Sequence, residues 1–159
     1  MSLTIESSRF GRLEIDPETV IEFPEGLIGL AGNRYALIAR DAETPFLWLQ
    51  CLDDPSLALP VTNPHHFFSN FSVELAEEEA ERLGLDEARG FDDAKGFDVY
   101  VTVRAATSPE GFAANLKAPI VIRAGRAHQV INRAAGCGLR VPLFGGRRAG
   151  EAPAGHGRC

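Results

Sequence analysis

The sequence lacks most of the signatures that would announce an enzyme. It has no Gly-x-Gly-x-x-Gly fingerprint, no phosphate-loop motif and no Gly-x-Ser-x-Gly elbow, which speaks against dinucleotide, nucleotide and acyl-transfer sites of the familiar kinds. No stretch approaches the roughly 20 apolar residues of a bilayer-spanning helix. Met1 to Glu6 carries neither a basic leader nor an apolar run, so no signal peptide is expected and the chain should stay in the cytoplasm. Cysteine is scarce: Cys51, Cys137 and Cys159 are odd in number and widely spaced, which is no disulfide framework. Cys51, inside an apolar run, reads as a small buried residue. Positive charge is also in deficit, with 16 basic against 22 acidic residues and a net charge of −6. Nucleic-acid affinity rests largely on lysine and arginine at phosphates, so direct binding of RNA or DNA is not expected. An acidic surface suits a basic protein partner instead.

The remaining candidates for chemistry are thin. Of the histidines His65, His66, His128 and His156, the adjacent pair would point to opposite faces of a strand. No Cys-x-x-Cys or His-x-x-x-His spacing supports a metal site. His65 and His66 read as a surface turn after Asn63-Pro64. Asp53-Asp54 and Asp92-Asp93 read as turns, since acid–base chemistry needs two carboxylates in different environments within a cleft. Neither a metal, a cofactor nor a catalytic residue is expected, and the chain is read as a non-enzyme. The alternative is a small β-barrel ligand-binding module or enzyme, with a pocket near Trp48 and His65.

What is present is a β pattern. At 159 residues the chain suits one domain, and an assembly with a partner copy is not required, so a monomer is the simplest expectation. Alternating runs at 3–6 and 12–15 flank a turn and predict a hairpin; further strands are predicted at 20–23, 34–40, 46–51, 57–61 and 97–104. Pro60 should sit at an edge or a bulge. Residues 119–122 and 129–131 should form a closing pair around Ala124-Gly125-Arg126. Turn signals about every ten residues suggest an antiparallel sandwich or barrel. Residues 74–83 break the pattern. They are rich in helix formers, with Gly84 as C-cap, Leu75, Ala80 and Leu83 as an inward stripe, and Glu74, Glu77, Glu78 and Glu81 toward solvent. Glu78 and Arg82 are spaced for an i,i+4 ion pair. Residues 86–96 read as a loop, and residues 145–159 as a flexible tail beyond a domain of residues 1–144.

Asn115-Leu116-Lys117-Ala118-Pro119 admits two readings: a strand-entry turn in which Asn115 bonds its own backbone, or an exposed polar contact on a rigid scaffold. This block also carries a resemblance. Together with Glu22-Phe23-Pro24-Glu25-Gly26-Leu27-Ile28-Gly29, Pro45-Phe46-Leu47-Trp48-Leu49-Gln50, Asp53-Asp54-Pro55, Asn63-Pro64 and Leu139-Arg140-Val141-Pro142-Leu143, it resembles the FliW family of flagellar assembly factors. The resemblance implies a mainly β, compact antiparallel β-barrel-like domain with one short helix. It also implies a cytoplasmic protein that binds flagellin and the translational repressor CsrA by partner exchange, relieving repression of flagellin synthesis without breaking a bond. The residues expected at such a protein-binding surface are Glu74, Glu77 and Glu78, which would meet the basic partner, and Asn115 and Lys117.

Overall fold

The computed structural model describes residues 3–30, 32–39, 43–85, 96–108, 111–134 and 137–144. The loop expected around residues 86–95 and the tail expected from 145 lie outside them. Period-2 runs become strands close to where they occur: β1 (Leu3–Ser7), β2 (Gly11–Ile15), β3 (Ile21–Glu22), β4 (Arg34–Ile38), β5 (Phe46–Cys51) and β6 (Ala58–Thr62). A short helix, α1 (Glu77–Arg82), precedes β7 (Asp98–Arg104), β8 (Ala113–Ala114), β9 (Ile120–Arg123), β10 (Arg126–Gln129) and β11 (Val141–Pro142).

β9 closes the structure. It pairs antiparallel with β10 on one side, Arg123 opposite Arg126 through Ile120 opposite Gln129. On its other side it pairs with β7, Asp98 opposite Ile122 through Tyr100 opposite Ile120. The ring then runs β7-β6-β5-β4-β3-β10-β9 and back to β7, a closed seven-stranded barrel. Closure removes the free edges that an open sheet would expose. The weakest seam is β3 against β10, a single parallel pair of Glu22 and Arg126, reinforced by the Glu22 amide donating to the Gly125 carbonyl at 2.8 Å. β8 and β11 extend outward from β7.

The strands are buried on both faces. Inside the barrel, Phe23, Tyr35, Leu49, Val61, Ile120, Ile122 and Ala127 pack together. On the outer face, Val99, Val101 and Val103 of β7 and Val121 of β9 pack under Phe68, Phe71, Val73, Leu75 and Ala80. The alternation of β7 therefore marks a buried face that points away from the barrel axis, toward the helix. Cys51 lies in the interior, fully buried, with its Sγ accepting from the Asp54 amide at 3.3 Å. The β1–β2 hairpin forms a separate small sheet. Its Leu3, Ile5, Leu13 and Ile15 cover Ala36, Ile38 and Leu52. Fully buried Gln50 anchors it, accepting from Ser7 Oγ at 2.8 Å and donating to the Cys51, Pro55 and Leu57 carbonyls.

Three expectations need correction. The closing pair forms, but its second strand, expected at 129–131, runs Arg126–Gln129, because the two-residue turn Ala124-Gly125 puts Arg126 opposite Arg123. β6 is an interior strand, flanked by β5 and β7, although Pro60 had suggested an edge or bulge. Pro60 is tolerated because the β6–β7 register starts one residue later, at Val61 opposite Thr102, so the missing N–H falls outside that ladder. The predicted strand at 20–23 shortens to two residues: the Phe23 amide still donates to the carbonyl of Asn33, its partner in register, but the Phe23 carbonyl accepts from the Asn33 side-chain Nδ2 and the regular pairing ends there.

The β9–β10 turn has left-handed φ at both central residues, 54° at Ala124 and 78° at Gly125. Such two-residue hairpins favour Asn-Gly, and alanine there is strained. Replacing Ala124 by asparagine should raise the unfolding free energy by about 0.5–1 kcal/mol. Urea denaturation measures this, and a loss of stability would show that the turn is held by something other than backbone preference.

Candidate functional site

α1 is only six residues long, too short to persist by itself. Its sequence and its packing compensate. Ala76 provides no side-chain cap, but Glu77, Glu78 and Glu79 crowd the first turn, where negative charge complements the helix dipole. The end is set by Gly84 at φ 75°, and the Leu85 amide reaches back to the Ala80 carbonyl at 2.8 Å. Leu75 and Ala80 are buried and Leu83 packs partly against them. Glu74, Glu77, Glu78 and Glu81 are exposed and form an acidic face. The expected Glu78–Arg82 pair is replaced: Arg82 turns the other way, onto Glu25 from a distant loop and onto Glu79 at 3.7 Å. Glu79 is the more sheltered acid, because it leans inward to accept from the Ile131 amide at 3.4 Å.

The Asn115 Oδ1 accepts from the Lys117 and Ala118 amides, both at 3.1 Å. The asparagine thus builds the turn that leads into β9. Lys117 is half-buried. Its amide also donates to the Gly138 carbonyl at 3.1 Å, and its carbonyl accepts from the Asn132 amide at 2.7 Å. That last contact links the turn to the helix side. Asn132 is fully buried. Its Oδ1 accepts from the Glu74 amide at 2.9 Å and the Ala134 amide at 3.0 Å. Its Nδ2 donates to the Ser72 carbonyl at 2.9 Å, with longer contacts to the Leu116 carbonyl and Cys137 Sγ, each 3.3 Å. One side chain fastens the stretch before α1, the Asn115–Lys117 turn and the chain after β10. The sequence reading passed over it; the available signal was an asparagine directly after the apolar pair Val130-Ile131.

Beside Asn115 lies a groove of about 390 Å³ at the barrel end, lined in part by Leu27, Ile28, Leu30, Asn115, Gln129 and Leu139. Ile28 and Leu139 are 60% and 66% exposed, and Leu30 39%. These apolar side chains are presented by fixed backbone. Leu27 is buried and bridges Leu30. Gln129 Oε1 accepts from the Ile28 amide at 2.7 Å while its Nε2 donates to the Ala118 carbonyl at 3.1 Å. Arg104 and Arg140 also line the groove. A contiguous exposed apolar patch with a polar surround is the usual mark of a protein interaction site.

The other candidates settle into structural roles. Asp53 accepts from the Asn33 and Arg34 amides and from the Arg34 guanidinium. The Asn33 amide chiefly, and Arg34 with it, hold its carboxyl below the usual range. Asp54 is lowered likewise by Ser56. His65 and His66 are exposed in a one-turn helix capped by Asn63. Trp48 is covered by Phe10 and by the Arg9 guanidinium 4.3 Å from its ring.

The model of the FliW protein family matches residues 4–143. The chain belongs to the FliW family. The flagellar assembly factor FliW of Leptospira biflexa is 33% identical over 136 residues, 84% of this chain and 86% of that protein. The FliW of Nitratidesulfovibrio vulgaris is 36% identical over 137 residues, 85% and 70% of the two. A crystal structure of the flagellar assembly factor FliW superposes with a TM-score of 0.76 at 26% identity, covering 92% of this chain and 100% of that one. The mainly β barrel with a single short helix among the described residues is the FliW architecture, and the chain is a flagellar assembly factor. No helix among its described residues is long and apolar enough to cross a membrane.

In this FliW-family chain, the acidic face and the groove meet the same polar junction. Truncating Asn132 to alanine should leave the Glu74 and Ala134 amides without side-chain acceptors. The unfolding free energy should fall by about 2–3 kcal/mol, measured by urea denaturation. A change within about 0.5 kcal/mol, the range of ordinary surface substitutions, would show that this junction holds nothing together.

Proposed function

We propose that this flagellar assembly factor acts in the cytoplasm without catalysing a reaction, by binding in turn the translational repressor CsrA and flagellin. CsrA held by the chain would be kept from repressing flagellin synthesis, and free flagellin would compete for the chain. The observation that carries this reading is the pairing of two chemically distinct surfaces on one rigid frame. The exposed Ile28, Leu30 and Leu139 offer an apolar docking site, and Glu74, Glu77, Glu78 and Glu81 offer an acidic one. A basic RNA-binding protein is drawn by charge, which acts mostly on the rate of encounter. A secreted subunit that packs apolar segments against others of its kind suits the groove. Asn115 and Lys117 stand at the join, so that occupation of either surface can be felt at the other.

Titration calorimetry with CsrA and flagellin from the same genome tests the proposal; no heat with either partner would overturn it. Reversing Glu74, Glu77 and Glu78 to lysine should slow association with CsrA at least about tenfold at low salt and flatten its salt dependence. Stopped-flow mixing would show this, and an unchanged on-rate would remove α1 from the interface. Leu139→Asp should weaken flagellin binding about tenfold or more by placing a charge in an apolar contact. Equal affinity for the variant would place flagellin elsewhere.

A further inference from the structure

A second concavity, of about 520 Å³, lies at the C-terminal end of α1. It is lined by Arg82, Leu83, Phe97, Arg123, Arg126 and His128, with Glu25 at its border. Its charge runs against that of the molecule. The protein carries a net −6, yet among the described residues that line the concavity three arginines meet a single carboxylate, Glu25. That carboxylate is taken by Arg82.

The strand register explains how the others come together. Arg123 and Arg126 are direct partners across the β9–β10 turn, and His128 opposite Val121 lies on the same outer face. Like charges directly opposite on a sheet are destabilising. Neither arginine has an acidic partner among the described residues. The Arg123 guanidinium lies over Phe97, its Cζ 4.4 Å from the ring centroid, a cation–π contact that holds it at the concavity. His128 Nδ1 is buried with no hydrogen-bond partner among the described residues. Burial holds this imidazole below its ordinary range; Glu25 opposes that, and Arg126 and Arg82 add to it.

We infer that this concavity binds a small molecule through a phosphate monoester, with Arg123 and Arg126 as the paired anion clamp. The guanidinium fork matches phosphate oxygens in geometry, and a dianion answers two positive charges that lack an acidic partner among the described residues better than a carboxylate does. The volume lies in the range of small-molecule sites. An anion seated there relieves the repulsion between the two arginines, so a ligand also stabilises the weak β3–β10 seam beside them. The inference is independent of the protein partners proposed above.

The test titrates the full chain with inorganic phosphate and, separately, with adenosine monophosphate, at constant ionic strength, with acetate and chloride as comparators. Calorimetry and the His128 imidazole proton resonances are read together. Saturable binding of a phosphate probe below about 10 mM is expected, with the His128 signals moving in parallel. Tighter binding of the nucleotide assigns recognition of an organic moiety as well; equal binding assigns the phosphate group alone. Arg123→Gln and Arg126→Gln should each weaken binding roughly tenfold. Glu25→Gln should tighten it, an effect that misfolding cannot imitate. Absence of saturation, equal response to acetate, or unchanged affinity in both arginine variants would overturn the inference.

Discussion

The double pairing of β9 is the constraint on which the rest depends. One four-residue strand holds β10 on one side and β7 on the other, and by doing so turns a meander into a closed barrel. Closure fixes the positions of everything attached to the ring. It gives Ile120 and Ile122 to the interior and Val121 to the outer core beneath the helix. Shifting the strand by one residue would exchange these faces and turn Arg123 toward the barrel interior. The entry to β9 is accordingly over-determined. Asn115 ties the turn to itself, the Val130 amide donates to the Pro119 carbonyl, and the Asn132 amide to that of Lys117.

From that frame the surfaces follow. α1 has no independent stability; it exists because Leu75, Ala80 and Leu83 have the outer face of β7 and β9 to cover. Its acids are therefore displayed in a fixed orientation, although the helix is shorter than two turns. The groove depends on β10 through Gln129, which holds the Ile28 backbone. Two surfaces of different chemistry thus hang on the same hairpin, which is the arrangement the proposed partner exchange requires. The arginines on the outer face of that hairpin are the third point, at which the inferred phosphate ligand would act on the frame.

Much of the fold could be read directly. The hairpin of β1 and β2, the runs of β4, β5, β7 and β9 and the helix with its Gly84 stop all show in period and punctuation, while β10 was expected three residues too late. What could not be read was direction. The alternation of Val99, Val101 and Val103 names a buried face without saying that it faces a helix rather than the barrel interior, because both faces of that strand are covered. The acidic face was legible, since glutamates spaced along a short helix leave few places to go. The Glu78–Arg82 pair was misjudged because a local spacing rule cannot see Glu25, 57 residues away in sequence. Asn132 and the groove were invisible for the same reason. Each is made by contact between distant segments, and a lone asparagine or a scattered Ile28, Leu30 and Leu139 carries no pattern of its own.

The central claim is that partners dock on surfaces held by the β9–β10 frame, with flagellin at the apolar groove. Backbone hydrogen exchange of the chain, alone and with flagellin from the same genome, addresses it most directly. The account predicts added protection at residues 27–30 and 139–140, with the barrel strands unchanged. Protection confined to the β1–β2 hairpin or to the region of Trp48, with residues 27–30 and 139–140 exchanging as in the free chain, would contradict it.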